Sequence, residues 1–530
     1  MKRYINSIGA LAVALCLGGA AFTSCSDPED VQDLVLARVL SPIGVKSYVT
    51  NNTDIVVYWD LGKDASSYEV QAYADSPDYD QREPDKTVTT TGEQVTLTSL
   101  IGETDYYIRV RALDDNNSER NSKWVEIKQA TNPEQNMNKV KAGDIQSTSV
   151  TVTWTPGIEV ENAICTPQDG SEDVVTSAIT ADEKAAGKKT ITGLKPETKY
   201  DVRIKLGKKT RGYATITTNL DFTGATVLSP SDDWATAIQN APAGSKIALA
   251  PGKYEMPDAA LKISNNVIIG AQDSGNQPIL NTRIQLSNAA ALTLYQVILD
   301  GENTPSSQAI TYNESGDYGD LTVKGCEIRN YAKGLIFGSD KIVVTVKSIN
   351  IDNSIIHDIV CSGGDFIDFR VGGWKSLDLT NSTIYDSAAD RDILRANDKN
   401  AVLPSLTSST TVDRCTFYNV GTSASASKRI FYVTTASNSS KFTNNIVVNY
   451  KLKNGFANDK ATGDVSFSNN FYLNCLNLTS LADGNTNTPK VFDTTGTVLT
   501  ESPFKDAGNY DFTITDDRLK SYQFGDPRWY

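Results

Sequence analysis

The chain has 530 residues, 39% apolar and 22% charged, a globular composition too long for one hydrophobic core, so several domains are expected. Its formal charge is −14, and becomes −16 if Lys2 and Arg3 leave with an N-terminal signal, which argues against nucleic acid or an anionic lipid surface as a partner. Beyond Cys16 and Cys25 five cysteines remain, an odd number with no Cys-x-x-Cys spacing, so neither a disulfide framework nor a zinc site is indicated.

Lys2 and Arg3 precede an apolar run from Ile8 to Phe22, which reads as a secretory signal over 1–24, too short to span a membrane as a mature helix. The run ends in Phe22, Thr23, Ser24 and Cys25, a sequence that resembles a lipobox. The resemblance implies that Cys25 is the lipid-bearing first residue of the mature chain, an anchor that needs no transmembrane span. The acidic stretch Ser26, Asp27, Pro28, Glu29 and Asp30 lies in a tether over 25–33 and is similar to the tag of surface-exposed lipoproteins in Gram-negative glycan degraders. That similarity implies an outer-membrane, cell-surface location; a plain solvated linker is the other reading.

From 34 to 132 the expected strands are short and regularly punctuated, with Trp59 early and Leu100, Thr104, Tyr106, Ile108, Val110 and Ala112 late. The region 133–219 repeats the plan with Trp154, then Leu194, Pro196, Thr198, Tyr200, Val202 and Ile204. Both resemble the fibronectin type III pattern, with Gly102 in place of the first copy's proline. The resemblance implies two β-sandwiches in which the Trp and Leu fill the core and the Tyr packs across the sheets. The stretches after Asn132 and from Asn219 to Thr223 read as linkers, so the sandwiches are expected to act as spacers.

Ser231 to Asn240 reads as a short helix, with Ser231 as its cap and Trp234 and Ile238 on one face, closing the open end of a repeat region. In that region six copies of a strand-turn-strand sentence occur, with third positions at Val323, Ile351, Leu379, Val412, Phe442 and Phe467, in steps of 28, 28, 33, 30 and 25 residues. Stacking at about 4.8 Å would place equivalent residues of successive coils over one another. Asn353 and Asn381, then Asn444 and Asn469, would form amide ladders, and Cys326 and Cys415 share a small-residue slot with Ser354 and Ser382. These features resemble the pectin-lyase-like right-handed parallel β-helix, over 220–500, with 501–530 as a cap on the last coil. The expected fold class is all-β: two sandwiches followed by a solenoid.

In that family the third strand of each coil and its loops form the sugar groove. Charge here concentrates on two neighbouring coils, in Asp365, Asp368 and Arg370 and then in Asp390, Arg391, Asp392 and Arg395; Arg429 comes one coil on. Alternation puts Asp368 with Arg370 on one face, and Arg391 with Arg395 on a shared face of the next strand, while Phe366, Ile367 and Phe369 fit either face outward. One reading is Asp–Arg pairing between coils that holds the stack. The other is a carbohydrate site in which Arg370, Arg391, Arg395 and Arg429 grip uronate carboxylates, Trp374 stacks on a sugar ring or covers a coil edge, and Asp365, Asp368, Asp390 and Asp392 offer oxygen ligands to calcium. His357, the only histidine, aligns with Tyr385 and Tyr418 and reads as a rung residue, not a base.

The function expected is a lipid-anchored surface protein that binds an acidic, uronic-acid polysaccharide without cutting it, with an outer-membrane glycan transporter as a candidate partner. The alternatives are a polysaccharide lyase using Arg391, Arg395 and Lys399, whose family motifs are not intact here, and an adhesin-like structural protein.

Overall fold

The computed structural model describes residues 37–60, 65–397, 403, 405–435, 437–460 and 463–530. Nearly every element is a strand, and the three α-helices among these residues have six residues each. The described residues divide into two units, Met1–Glu134 and Gln135–Tyr530.

In the first unit Asp54–Asp60 lies between Ile43–Thr50 and Gln94–Leu97 in one antiparallel sheet. Ser67–Ala74 and Asp105–Leu113 form the centre of a second sheet, flanked by Lys86–Thr90 and Val125–Ala130. Period-two alternation turns Tyr106, Ile108, Val110 and Ala112 onto Trp59 and Leu100, giving a fibronectin type III-like sandwich. The Tyr106 hydroxyl accepts the Ile101 N–H (2.9 Å), so this ring anchors its own corner as well as filling the core. Gly102 departs from the proline pattern because a Cβ there would lie 2.9 Å from the Asn132 carbonyl.

In the second unit Ser149–Thr153 pairs with Lys188–Thr192, and Val175–Ala178, Asn162–Pro167, Lys199–Leu206 and Lys209–Thr217 form the opposing sheet. Trp154, Leu194 and Tyr200 fill this core, and the Tyr200 hydroxyl accepts the Lys195 N–H (2.9 Å), as in the first sandwich. The segment read as a second linker does not behave as one. Asn219 is buried, donates to the Ile145 carbonyl (2.5 Å) and accepts from Tyr295 and Gln296 of the solenoid (3.2 and 3.0 Å). Ser274 donates to the Ala142 carbonyl (3.0 Å), so the second sandwich is docked on the solenoid and is not a separate bead.

The solenoid opens with the strand Thr226–Leu228 and then the helix Trp234–Gln239, which is capped by Asp233, not Ser231, and buries Trp234 and Ile238. Its first face is a ten-stranded parallel sheet running from Thr226–Leu228 to Asp464–Ser468. The expected register holds at every step, Val323 to Ile351, Leu379, Val412, Phe442 and Phe467. The second and third strands of each coil form a further parallel sheet that bends into two faces, joined through Ile279–Leu286.

Turns between the first and second faces place Asn353, Asn381, Asn444 and Asn469 in the left-handed region, at φ between 48° and 57°, which Asn tolerates better than most residues. Their ladder is partly carried by aspartate: Asn469 donates to Asn444 (3.1 Å), but Asn444 donates to Asp413 (2.7 Å) and Asn381 to Asp352 (2.8 Å). A second ladder runs along the far end of the second face, Asn474 to Asn449 to Asn419 to Asp386, with steps of 2.7, 2.7 and 2.8 Å. In the small-residue slot each side chain accepts the N–H of the coil before: Ser354 from Cys326, Ser382 from Ser354, Asn445 from Cys415. Burial pushes the Cys326 thiol up to about 12, as suits a packing residue.

The C-terminal segment does not stack on the last coil. Residues 475–500 close that end, where buried Asp493 accepts from Tyr472 (2.8 Å) and Asn470 (2.9 Å). The segment from Phe504 onward lies along the outside of the second face, where Phe512, Ile514 and Leu519 cover Ile446 and Val448. The second-face side chains of Tyr385, Tyr418 and Phe471 are apolar enough to require that cover.

Replacing Asn445 by Ala would strand the Cys415 N–H inside the stack, and should lower the solenoid's unfolding free energy by about 2–3 kcal/mol. Asn474→Ala, at the exposed end of its ladder, should cost less than about 1 kcal/mol; denaturant unfolding of the two variants checks the difference.

Candidate functional site

On the third face Gly334–Gly338, Ile367–Phe369, Leu394–Ala396 and Phe431–Val433 pair in parallel. Ile336, Ile367, Leu394 and Phe431 point into the core, as do Phe369, Ala396 and Val433. Alternation therefore turns Phe337, Asp368, Arg395 and Tyr432 outward in one column, settling the orientation that the alternation of residues 366–369 left open.

Beside it runs a second column, Gly334, Asp365, Asp392 and Arg429, each two residues ahead of the inward Ile336, Ile367, Leu394 or Phe431. Gly334 is required there, since a Cβ would lie 2.5 Å from the Asp365 carbonyl. Each carboxylate accepts the N–H of the next coil: Asp365 from Asp392 (3.1 Å) and Asp392 from Arg429 (2.9 Å). Asp365 also accepts from Arg395 Nη1 (2.9 Å), Asp392 from Arg429 Nε (2.9 Å) and Lys428 (3.3 Å), and Asp368 from Arg370 Nε (3.1 Å). Four cations thus surround three buried carboxylates.

Burial, reinforced by the Asp365 charge, pushes Asp368 and Asp392 up despite their cationic neighbours. Burial opposes the charge of Arg395, but its hydrogen bond to Asp365 and the charges of Asp368 and Asp365 outweigh it and raise its pKa. Asp368 Oδ1 has no hydrogen-bond donor among the described residues, with Arg395 Nε 3.6 Å away. The cations become more exposed toward solvent: the side-chain exposure is 6% for Arg429, 19% for Arg395, 28% for Lys428 and 31% for Arg370. Tyr432 lies under Arg429 and Arg395 (4.4 and 5.3 Å) and Phe337 under Arg370 (5.6 Å), so aromatic rings stand at both ends of the cationic strip.

The structure therefore gathers Asp365, Asp368, Asp392, Arg370, Arg395 and Arg429. Arg391 sits on the preceding turn, with Nε donating to the Cys361 carbonyl (3.1 Å) and Asp390 3.6 Å away, outside the buried network. Lys428, Tyr432, Phe337 and Asn458, which accepts from Arg429 Nη1 (2.6 Å), were not expected; counting one coil on from Arg395 reaches Lys428 and Tyr432, whereas nothing in the sequence points to Asn458.

Two expectations fail. Trp374 is fully buried, because the strand Gly372–Thr380 belongs to the first face and pairs Trp374 with inward Val346. Its indole donates to Thr410 (3.0 Å), so it offers no sugar platform. The aspartates do not form a calcium site: Asp365, Asp368 and Asp392 are taken by guanidinium and ammonium groups, and Asp390 faces solvent beside Arg391. Among the described residues no three His, Cys, Asp or Glu side chains are arranged to hold a metal. Cys25 and Lys399 lie outside the described residues.

His357 is a rung residue, stacked on Tyr385 (4.5 Å) and bonded to Glu327 (3.2 Å) and Asp358 (2.6 Å). Burial opposes its charge, but the two carboxylates prevail and hold its pKa above the usual histidine value.

The family described as Domain of unknown function (DUF4957) is matched over residues 252–387, and a second, Domain of unknown function (DUF5123), over 410–529. The charged columns straddle the gap between them. No curated protein is matched. Among solved structures, a two-domain fibronectin type III segment of chicken tenascin is 18% identical at a TM-score of 0.25, with 34% of this chain and 99% of that one covered. The FN1–FN3 domains of chicken CNTN1 are 18% identical at 0.17, with 37% and 71% covered.

Two outcomes are expected from this geometry. Arg395→Ala leaves Asp365 and Asp368 under-compensated and should destabilise the solenoid by about 3 kcal/mol or more, whereas Arg391→Ala should stay within about 0.5 kcal/mol; chemical denaturation distinguishes them. Stabilisation by the His357 pairs is complete below the unfolded pKa and is lost as pH rises through the raised folded value. An NMR titration of this single imidazole should have its midpoint above about 6.5, and Glu327→Gln should lower it.

Proposed function

We propose that the protein is a lipid-anchored, surface-exposed lipoprotein, acylated at Cys25, whose pectin-lyase-like solenoid binds an acidic, uronic-acid polysaccharide along its third face. The observation that carries this reading is the strip of Arg370, Arg395 and Lys428, propped outward by buried carboxylates and ended by Phe337 and Tyr432. A cation whose inner hydrogen bonds are already made is held in one orientation, so less conformational freedom is lost when its outer edge meets a ligand carboxylate. Arg391 adds a further donor at the rim. The chain is acidic overall, so a polyanion would be held only where such a local basic strip exists. The resemblance of the acidic tether to those of glycan-degrading bacteria supports a place beside an outer-membrane glycan transporter.

Affinity electrophoresis of the soluble region in gels containing polygalacturonate, or the same polymer fully methyl-esterified, tests the reading. Retardation should appear only with the free carboxylates and weaken with salt. Arg391→Ala should weaken it by about tenfold, the cost of one charge-assisted hydrogen bond. Equal mobility in both gels would exclude carboxylate recognition, and new absorbance from unsaturated chain ends would make the protein a lyase instead.

A further inference from the structure

The last seven residues run back along the solenoid, against the direction of winding, and touch one coil after another. Phe524 packs at a tilt against Phe471 (4.9 Å), and the Gly525 N–H donates to the Asn444 carbonyl (2.8 Å). The Asp526 N–H donates to Thr416 Oγ1 (3.1 Å), while Thr383 Oγ1 donates to Asp526 Oδ2 (2.7 Å) and accepts from Trp529 Nε1 (2.8 Å). Arg528 Nη2 reaches Asn353 Oδ1 (3.0 Å) on the next coil. Beyond it Lys139 of the second sandwich donates to the carbonyls of Arg528 (2.5 Å) and Tyr530 (3.1 Å).

The fit is that of a built groove. Gly525 has φ 78°, and a Cβ there would meet Ile446 Cδ1 at 2.8 Å and Thr416 Oγ1 at 2.9 Å. Asp526 is 1% exposed, pairs with Arg528 Nε (2.6 Å), and accepts the Arg528 N–H (3.0 Å) to cap the turn Pro527–Trp529. Trp529 packs edge-on against Phe512 (5.4 Å).

We infer that the second face carries a peptide groove, which the chain fills with its own residues 524–530, and that this strap locks the second sandwich to the solenoid. The groove selects a glycine, a buried aspartate between two threonine hydroxyls, an arginine and an aromatic ring. Lys139 completes the lock by binding main-chain carbonyls that only the docked strap presents.

The test uses the full chain truncated after Gln523, with hydrogen exchange read by mass spectrometry and a synthetic peptide of residues 524–530 added in trans. Exchange at residues 136–140 should rise by about tenfold or more, as expected when hydrogen bonds to a charged group are removed, with first-face strands unchanged. The peptide should restore protection, and its Asp526→Ala version should not. Unchanged exchange after truncation, or equal restoration by both peptides, would overturn the inference. If the truncated chain fails to fold, Lys139→Ala in the intact chain replaces it: loosening at 136–140 with the solenoid unaltered supports the lock, and wild-type protection refutes it.

Discussion

Parallel coiling makes every residue the vertical neighbour of one a coil away, and this constraint governs most of the molecule's distinctive features. A polar group placed at a buried rung cannot reach water, so its partner must come from the coil above or below. The serine and cysteine slot and the Asp365–Asp392–Arg429 column are two solutions to that problem, and the two asparagine ladders repeat the device at turns nearer solvent. In each, a side chain on one coil satisfies a donor or acceptor on the next. The solenoid is thereby committed to a single register, because a slip of one residue would turn the inward row out and leave these groups without partners.

The same constraint explains how a stabilising network and the proposed binding surface can occupy one place. Three carboxylates inside the third face would be costly alone, and of the cations that neutralise them Arg370, Arg395 and Lys428 are long side chains whose outer ends reach solvent. At Arg370 and Arg395 the inner side of the guanidinium serves the stack while the side chain still reaches solvent, whereas Arg429 is bonded on both edges within the fold. Pairing between coils and ligand recognition, which compete as explanations when only the residue types are known, are therefore compatible at Arg370 and Arg395. Arg391 differs, since it contributes to the rim and little to the stack. Its position makes it the residue at which the two roles separate.

Much of the fold was legible because periodicity survives without coordinates: the spacing of Val323, Ile351, Leu379, Val412, Phe442 and Phe467 gave the register without error. The two tyrosine corners were visible in the spacing of Leu100 to Tyr106 and of Leu194 to Tyr200. What escaped depends on contacts without local signature. Trp374 looked like a sugar platform or an edge cover because Gly372 and Gly373 suggest a turn just before it. In fact Gly372, at φ 122°, lies so close to Val344 that the strand has already begun there. The docking of Asn219 on Tyr295, and the path of the tail across Thr416 and Thr383, join residues 76 to 146 positions apart, and no pattern within either segment announces them. The aspartates looked like metal ligands because residue type is visible in a sequence and prior occupation by arginine is not.

The placement of the charged strip rests on Phe337 and Tyr432 standing three rungs apart on one face, and spin labels at these two positions measure it most directly. Dipolar spectroscopy should give a separation of about 15–25 Å, three strand spacings of about 4.8 Å widened by the label arms. A separation beyond about 40 Å would mean that the coils do not stack in this order, and the strip would not exist.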